Sequence, residues 1–236
     1  TLATNLDEEG EATFIAGESA KIIERGVEPE EIAVLYRANF QSRVLEEAFM
    51  HQGIPYQLLG TRFFERKEVK DIISYLRSAL NPDSLSDKKR IINVPARGIG
   101  KTTILKIFSG QEDSLPLAMK TKINSFKKLL ESIKQISKEK KPSETIACII
   151  KQTGLEEEWK TGGEEGAARL ENAYELANFA SRYDTLTSEE GILNFLSDAA
   201  LQSDQDEMRE ENKAVRLMTI HASKGLEFDI VFITGL

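Results

Sequence analysis

Hydrophobic positions recur along this chain with two different periods, and the switch between them divides it. Glu11 to Arg25 carries Ala12, Ile15, Ser19 and Ile22 at the 3.6-residue spacing of a helix, with Gly26 as its stop. Glu31 to Arg37 (EIAVLYR) is a continuous apolar run of strand length, which predicts a central parallel strand. Gln41 to Gln52 predicts a helix with Leu45, Ala48 and Phe49 inward, ended by Gly53 and Pro55, and Tyr56 to Leu59 a further short strand. Leu2 to Asn5 reads as the end of another strand. Strand–helix–strand units at this spacing predict right-handed crossovers in a parallel sheet.

From Lys67 the helical period takes over. Val69, Ile72, Ile73, Leu76 and Leu80 form one stripe, stopped at Asn81-Pro82. Further stripes follow: Ile104, Leu105 and Phe108; Ile123, Phe126, Leu130 and Ile133; Ile146, Ile149 and Ile150. Leu170, Tyr174 and Ala177, then Leu193, Leu196 and Ala200, complete two more helices. Ser203 to Lys213 is acidic and reads as a solvated linker. No strand is predicted between Lys101 and Glu211. Two β-branched runs then close the chain, Val215–Ile220 and Ile230–Thr234. The expected architecture is an α/β domain with an all-helical insertion, the parallel sheet being finished by the last strands.

Composition adds few exclusions but useful ones. No apolar stretch approaches the ~20 residues of a membrane helix, and the first residues have no basic and apolar leader pattern. One cysteine, Cys148, excludes an internal disulfide and suits a small buried hydrophobe in a reducing compartment. With His51 and His221 the only histidines, no dedicated metal site is expected. The net charge of −8 argues against a nucleic-acid partner until its distribution is considered. Ser86 to Lys141 holds 14 Lys and Arg against 5 Asp and Glu, a balance of +9. Leu155 to Glu211 holds 4 against 16, a balance of −12. A basic region beside an acidic one is equally an electrostatic footprint for DNA and a pair of mutually attracting helix faces.

Two segments carry candidate chemistry. The polar connector His-Ala-Ser-Lys-Gly-Leu-Glu-Phe joins the last two strands, and ligands in open α/β sheets gather at strand carboxyl ends. There Thr219 and His221 can hydrogen-bond a phosphodiester, and Glu227 can accept from a sugar hydroxyl. Taken alone, His221 fits a satisfied histidine in a βα connection better. The second segment, Arg97 to Thr103, contains Gly-Lys-Thr but is no P-loop, because Pro95 stands where the leading glycine must be. Gly98-Ile99-Gly100 reads instead as a hairpin whose glycines admit a phosphate, with Lys101 and Thr102 at the helix start adding donors and charge. Taken alone, so short a glycine motif fits a tight inter-helix turn needing φ > 0 better than a DNA contact.

As a string, Val215–Leu236 (VRLMTIHASKGLEFDIVFITGL) closely resembles motif V of the UvrD/Rep/PcrA DNA helicases of superfamily I. VLYRANFQSR (Val34–Arg43), FFERKEVKDIISYLR (Phe63–Arg77) and INVPARGIG (Ile92–Gly100) match the same family in the same order. The resemblance spans essentially the whole chain, with Ala222-Ser223 replacing the family's usual Ser-Ala order. It implies a RecA-like domain, 2A, in residues 1–82 and 213–236, interrupted by a helical domain, 2B, in residues 83–212.

The resemblance also implies roles. Arg37, Asn39, Thr219 and His221 would contact single-stranded DNA, with Gln41 and Arg43 as structural support. Lys224 and Gly225 would shape the loop, Gly225 and Glu227 lying against bound ATP. Gly98, Ile99, Gly100, Lys101 and Thr102 would grip duplex DNA. The parent would be a cytoplasmic, nucleoid-associated 3′–5′ helicase of repair or replication, using ATP and Mg2+. Its substrates would be single-stranded and forked duplex DNA, with accessory proteins acting on the helical insertion. The chain has no Walker lysine, magnesium-binding acid pair or motif VI arginine. It therefore reads as an excised part that binds DNA weakly and does not hydrolyse ATP. The alternative is a helicase-derived module without motor function, binding DNA or protein.

Overall fold

Four of the apolar runs form one parallel sheet. In the computed structural model, which describes residues 2–206 and 213–235, the strands are β1 (Ile32–Tyr36), β2 (Tyr56–Leu59), β3 (Val215–Thr219) and β4 (Ile230–Ile233). Their order is β2-β3-β1-β4, every pair parallel. The first and third strands are central, so both sides of their ladders are filled, and their residues are almost wholly buried. β4 is an edge strand, and Val231 and Ile233 on it are about half exposed.

The chain divides into two compact units, Thr1–Arg66 with Leu201–Leu236, and Lys67–Ala200. In the sheet unit, α1 (Glu8–Glu24) and α2 (Ser42–His51) cover one sheet face. Ala12, Ile15 and Ala16 of α1 and Val44, Leu45, Ala48 and Phe49 of α2 pack on Ile32, Val34, Tyr36, Val215 and Leu217. The Phe49 ring meets Tyr56 edge-on at 6.2 Å between centroids, and burying such a side chain stabilises by roughly 1.5–3 kcal/mol. The Asp7 carboxylate caps α1 by accepting from the Gly10 N–H at 2.7 Å. The expected strand at Leu2–Asn5 is not formed. Those residues are exposed and lead without pairing into the Asp7 cap.

The helical unit contains α3 (Lys67–Leu80), α4 (Leu85–Ile91), α5 (Lys101–Phe108), α6 (Leu117–Glu139), α7 (Pro142–Gln152), α8 (Leu155–Lys160) and α9 (Gly163–Ser181), with α10 (Ser188–Asp206) running on from it. It therefore begins at Lys67, with α3 inside it. No strand occurs between Lys101 and Asp206. Val69, Ile72, Ile73 and Leu76 of α3 are buried as their spacing predicts, as are Ile123, Phe126, Leu130 and Ile133 of α6.

Three expectations fail here. The inward faces of α9 and α10 are set by Ala173, Leu176, Phe179, Phe195 and Ala199, while Tyr174 and Leu193 are exposed. The rings of Phe179, Tyr183 and Phe195 stand within 6.3 Å of one another and carry more apolar area than the stripe expected. Cys148 is half-buried rather than buried, at the margin of the α7 core face. The predicted linker is helical to Asp206, because α10 continues past its apolar residues; its next residues, 207–212, lie outside the described ones.

Candidate functional site

Register brings the first candidate residues together. In the β1–β3 ladder Tyr36 stands opposite Thr219, and the ladder runs one step further as the Ile220 N–H donates to the Tyr36 carbonyl at 2.9 Å. On the other side of β1 the Thr234 N–H donates to the Leu35 carbonyl at 3.0 Å. Three strands therefore end level, and the chain leaves them at Arg37, Ile220 and Gly235. Arg37, Asn39 and His221 are exposed there, and Thr219 is half-buried. Residues from the two ends of the sequence thus share one sheet edge, at the carboxyl ends of two adjacent central strands.

The edge is held from beneath by polar groups. The Gln41 carboxamide oxygen accepts from the Arg37 and Ala38 N–H groups at 3.1 and 2.9 Å, fixing the turn out of β1. The same amide lies against Gly235, which has φ +69 and no room for a Cβ. Ser42 donates to Glu46 at 2.6 Å and accepts from the Arg66 guanidinium at 2.7 Å, which also reaches the Thr61 carbonyl. Tyr36 is buried above this group. Desolvation first, then the Glu46 charge, raises its phenol pKa, with Arg66 opposing. Arg43 is buried and pairs with Glu47 at 2.9 Å. Gln41 and Arg43 thus both make side-chain bonds within the sheet unit.

After β3 the backbone makes a compact turn. The Ala222 and Ser223 N–H groups donate to the Thr219 carbonyl at 2.9 and 3.2 Å, and the Ser223 hydroxyl to the Ile220 carbonyl. The Thr219 hydroxyl oxygen also accepts from the Ala222 N–H at 3.2 Å, leaving its proton for a ligand. Gly225 has φ +86, which glycine adopts without strain. His221, Lys224 and Glu227 all project into solvent. His221 is thus exposed in the connection after β3, and none of its hydrogen bonds is made within the described residues. Among the described residues no three His, Cys, Asp or Glu side chains converge as metal ligands.

The second candidate lies in the helical unit and is built differently. The segment leading to α5 is not a hairpin but an irregular loop pinned on Asn93, whose side-chain oxygen accepts from the Arg97 and Ile99 N–H groups at 2.8 and 3.1 Å. The Arg97 guanidinium turns inward. It donates to the carbonyls of Val94, Ile91 and Thr153 at 2.9, 3.2 and 3.3 Å and to the Tyr75 hydroxyl at 2.6 Å. It also stacks 5.5 Å from the Phe126 ring centroid. Tyr75 in turn donates to the Val94 carbonyl, and burial pushes its pKa up to about 12 despite Arg97. Ile99 is fully buried, so only its backbone is available to a ligand. Gly98 has φ +67, and Gly100 precedes α5, whose first turn no side chain caps. Lys101 and Thr102 are exposed at that turn.

One residue at this loop escapes any motif. A Cβ built on Gly98 would stand 2.6 Å from the Lys122 Nζ, which therefore occupies the space that glycine leaves open. Lys122 belongs to α6, and its sequence neighbourhood is merely one of several lysine-rich stretches. Only its place beside Ile123, on the margin of the buried stripe, hints that its stem is held.

Comparison with known proteins identifies the family of the chain. The UvrD-like helicase C-terminal domain family matches residues 1–236. The chain is 36% identical over 250 residues to the ATP-dependent DNA helicase PcrA of Staphylococcus aureus strain Mu50, and 34% identical over 254 residues to that of Bacillus subtilis strain 168. In each case 98% of this chain aligns with 34% of the relative. The PcrA of Staphylococcus epidermidis is likewise 36% identical, with the same coverage. The chain thus spans about a third of the length of the curated relatives it matches.

Proposed function

Because the chain belongs to the UvrD-like helicase C-terminal domain family, we propose that it is the part of an ATP-dependent 3′–5′ DNA helicase that holds single-stranded DNA at one sheet edge and duplex at the Gly98 loop. In this reading the sheet unit forms the core of domain 2A and the helical unit that of 2B; family boundaries near residues 82 and 213 would give α3 to 2A, whereas by packing it belongs to the helical unit. The observation that carries the proposal is the shared register of β1 and β3. It sets the exposed Arg37 and Asn39 beside the half-buried Thr219 and the exposed His221. Contacts of this type position a strand through its phosphates and read no sequence.

The intact protein would bind ATP with Mg2+ between this sheet and a second motor domain, Glu227 and Gly225 facing the nucleotide. ATP hydrolysis would supply the energy for stepping along DNA in repair or replication in the cytoplasm. Within this chain, Arg37 neutralises a phosphate, Asn39 and the Thr219 hydroxyl donate to phosphate oxygens, and His221 adds a hydrogen bond. The Gly98 loop offers backbone N–H groups with Lys101 to a duplex phosphate. Lacking the Walker residues, the chain alone would bind DNA weakly and turn over no ATP.

Fluorescence anisotropy with a labelled oligothymidine tests this, alongside ATPase assays with and without DNA. Salt-sensitive binding lost on combining Arg37→Ala with His221→Ala, with no turnover, is the expected result. Binding that survives the double substitution would remove the sheet edge as the grip, and DNA-stimulated turnover would refute the inactive fragment.

A further inference from the structure

We propose that Lys122, outside every motif in the chain, is a backbone-phosphate contact of the duplex grip; this rests on the reading of the Gly98 loop given above. Gly98 is left-handed, and a residue with a Cβ would be strained there whatever its surroundings. Its missing Cβ has a second consequence. The Lys122 ammonium lies over the loop backbone, within 2.6 Å of where that Cβ would stand. Ile123 and Phe126, almost fully buried on the same helix, fix α6 against the unit's core. The lysine stem is therefore half-buried, and the charge is held at the loop rather than swinging in solvent.

Its lack of a counter-charge points to a ligand. Lys127, one turn and a fraction along α6, is paired with Glu112 at 2.7 Å. Among the described residues no carboxylate pairs with Lys122, and none of its hydrogen bonds is made within the chain. A cation that has lost part of its hydration without gaining an anion favours an incoming one. Lysine acts as a compact point charge, which suits a single phosphodiester oxygen rather than a base edge. Lys101 reaches the loop through the sequence and Lys122 through the fold. The two charges come from different helices, so the loop meets the backbone with cations supplied independently.

The test is binding of a forked duplex to the full chain, followed by anisotropy over a range of salt concentrations. Lys122→Gln is expected to lower affinity about three- to tenfold, equally for two unrelated duplex sequences, and to flatten the salt slope by about 0.9. Lys122→Arg should keep the slope. Lys138→Gln, about 24 Å further along α6 at ~1.5 Å per residue, controls for net charge and should change the slope by less than half as much. Urea midpoints should be unchanged in all three. An unaltered slope in Lys122→Gln, with Lys101→Gln still weakening binding, would overturn the role of Lys122 alone. If neither substitution has an effect, the loop is not the duplex grip. Competition by inorganic phosphate beyond its contribution to ionic strength would assign the lysine to a free anion and overturn the duplex assignment.

Discussion

The two candidate sites invert each other's construction. At the sheet edge, support and contact are separate residues. Gln41, Ser42, Glu46 and Arg66 consume their hydrogen bonds inside the unit, while Arg37, Asn39 and His221 extend into solvent. At the Gly98 loop the most conspicuous polar residue of the motif, Arg97, is spent entirely on support, and Ile99 is a core residue. What is left for a ligand there is backbone, Lys101 and a lysine from another helix. A regular sheet positions side chains by register, so its supports need only hold a turn. An irregular loop has no register and must be pinned by side chains that are then unavailable.

This contrast is broken most directly at Arg97. Arg97→Ala removes a charged donor from the Ile91, Val94 and Thr153 carbonyls and from the Tyr75 hydroxyl, together with its stacking on Phe126. It should destabilise the chain by about 3 kcal/mol or more in urea unfolding. Arg97→Lys should recover less than half of that, since an ammonium cannot span the same acceptors. If Arg97→Ala instead unfolded normally and only weakened DNA binding, Arg97 would be a contact residue and the contrast would fall.

Tyr75 sharpens the same point with a smaller effect. Tyr75→Phe should cost about 1–2 kcal/mol and also alter the response to alkali. The folded phenol titrates at about 12 against an ordinary 10.0, chiefly because burial disfavours the phenolate. The folded state thus holds its proton more tightly. Its contribution is fully present below pH 10 and is lost as pH rises toward about 12. Wild-type stability should fall more steeply than that of Tyr75→Phe across this window. Tyr36, whose pKa burial also raises, is common to both proteins and cancels in the difference. Equal slopes would mean that Tyr75 is not buried as described.

How much of this was legible beforehand follows the same division. β2 was readable to the residue and the other strands to within one residue at either end, because each is a short apolar run of strand length. The order β2-β3-β1-β4 follows from crossover rules only once β3 is known to insert beside β1, which no local pattern says. The motif residues at the sheet edge were visible because they follow strands. Arg97 was visible as a charge but not as an inward one, since its partners Tyr75 and Thr153 lie far along the chain. Lys122 was invisible for the same reason. Tyr174 and Leu193 misled because apolar spacing alone does not weigh ring area, and the aromatic cluster turned both helices.

Gln41→Ala tests the support beneath the sheet edge and should cost about 1 kcal/mol, the worth of one side-chain acceptor serving two N–H groups. Single-stranded DNA affinity should fall with it, because the turn carrying Arg37 and Asn39 is released. Restoring the acceptor with Gln41→Glu should recover stability but not affinity, the added negative charge opposing a phosphate. Full recovery of both would separate the turn from DNA binding.

The smallest expected change in stability is at Arg37 itself. Its side chain is exposed, and its backbone N–H, not its guanidinium, makes the bond to Gln41. Arg37→Ala should therefore leave the urea midpoint within about 0.5 kcal/mol of wild type, while flattening the salt slope for single-stranded DNA by about 0.7. The opposite outcome, a stability loss approaching that of Arg97→Ala with an unchanged slope, would place the guanidinium inside the protein. Both sites would then be built in the same way, with their arginines spent on structure and the grip on DNA left to lysines and backbone.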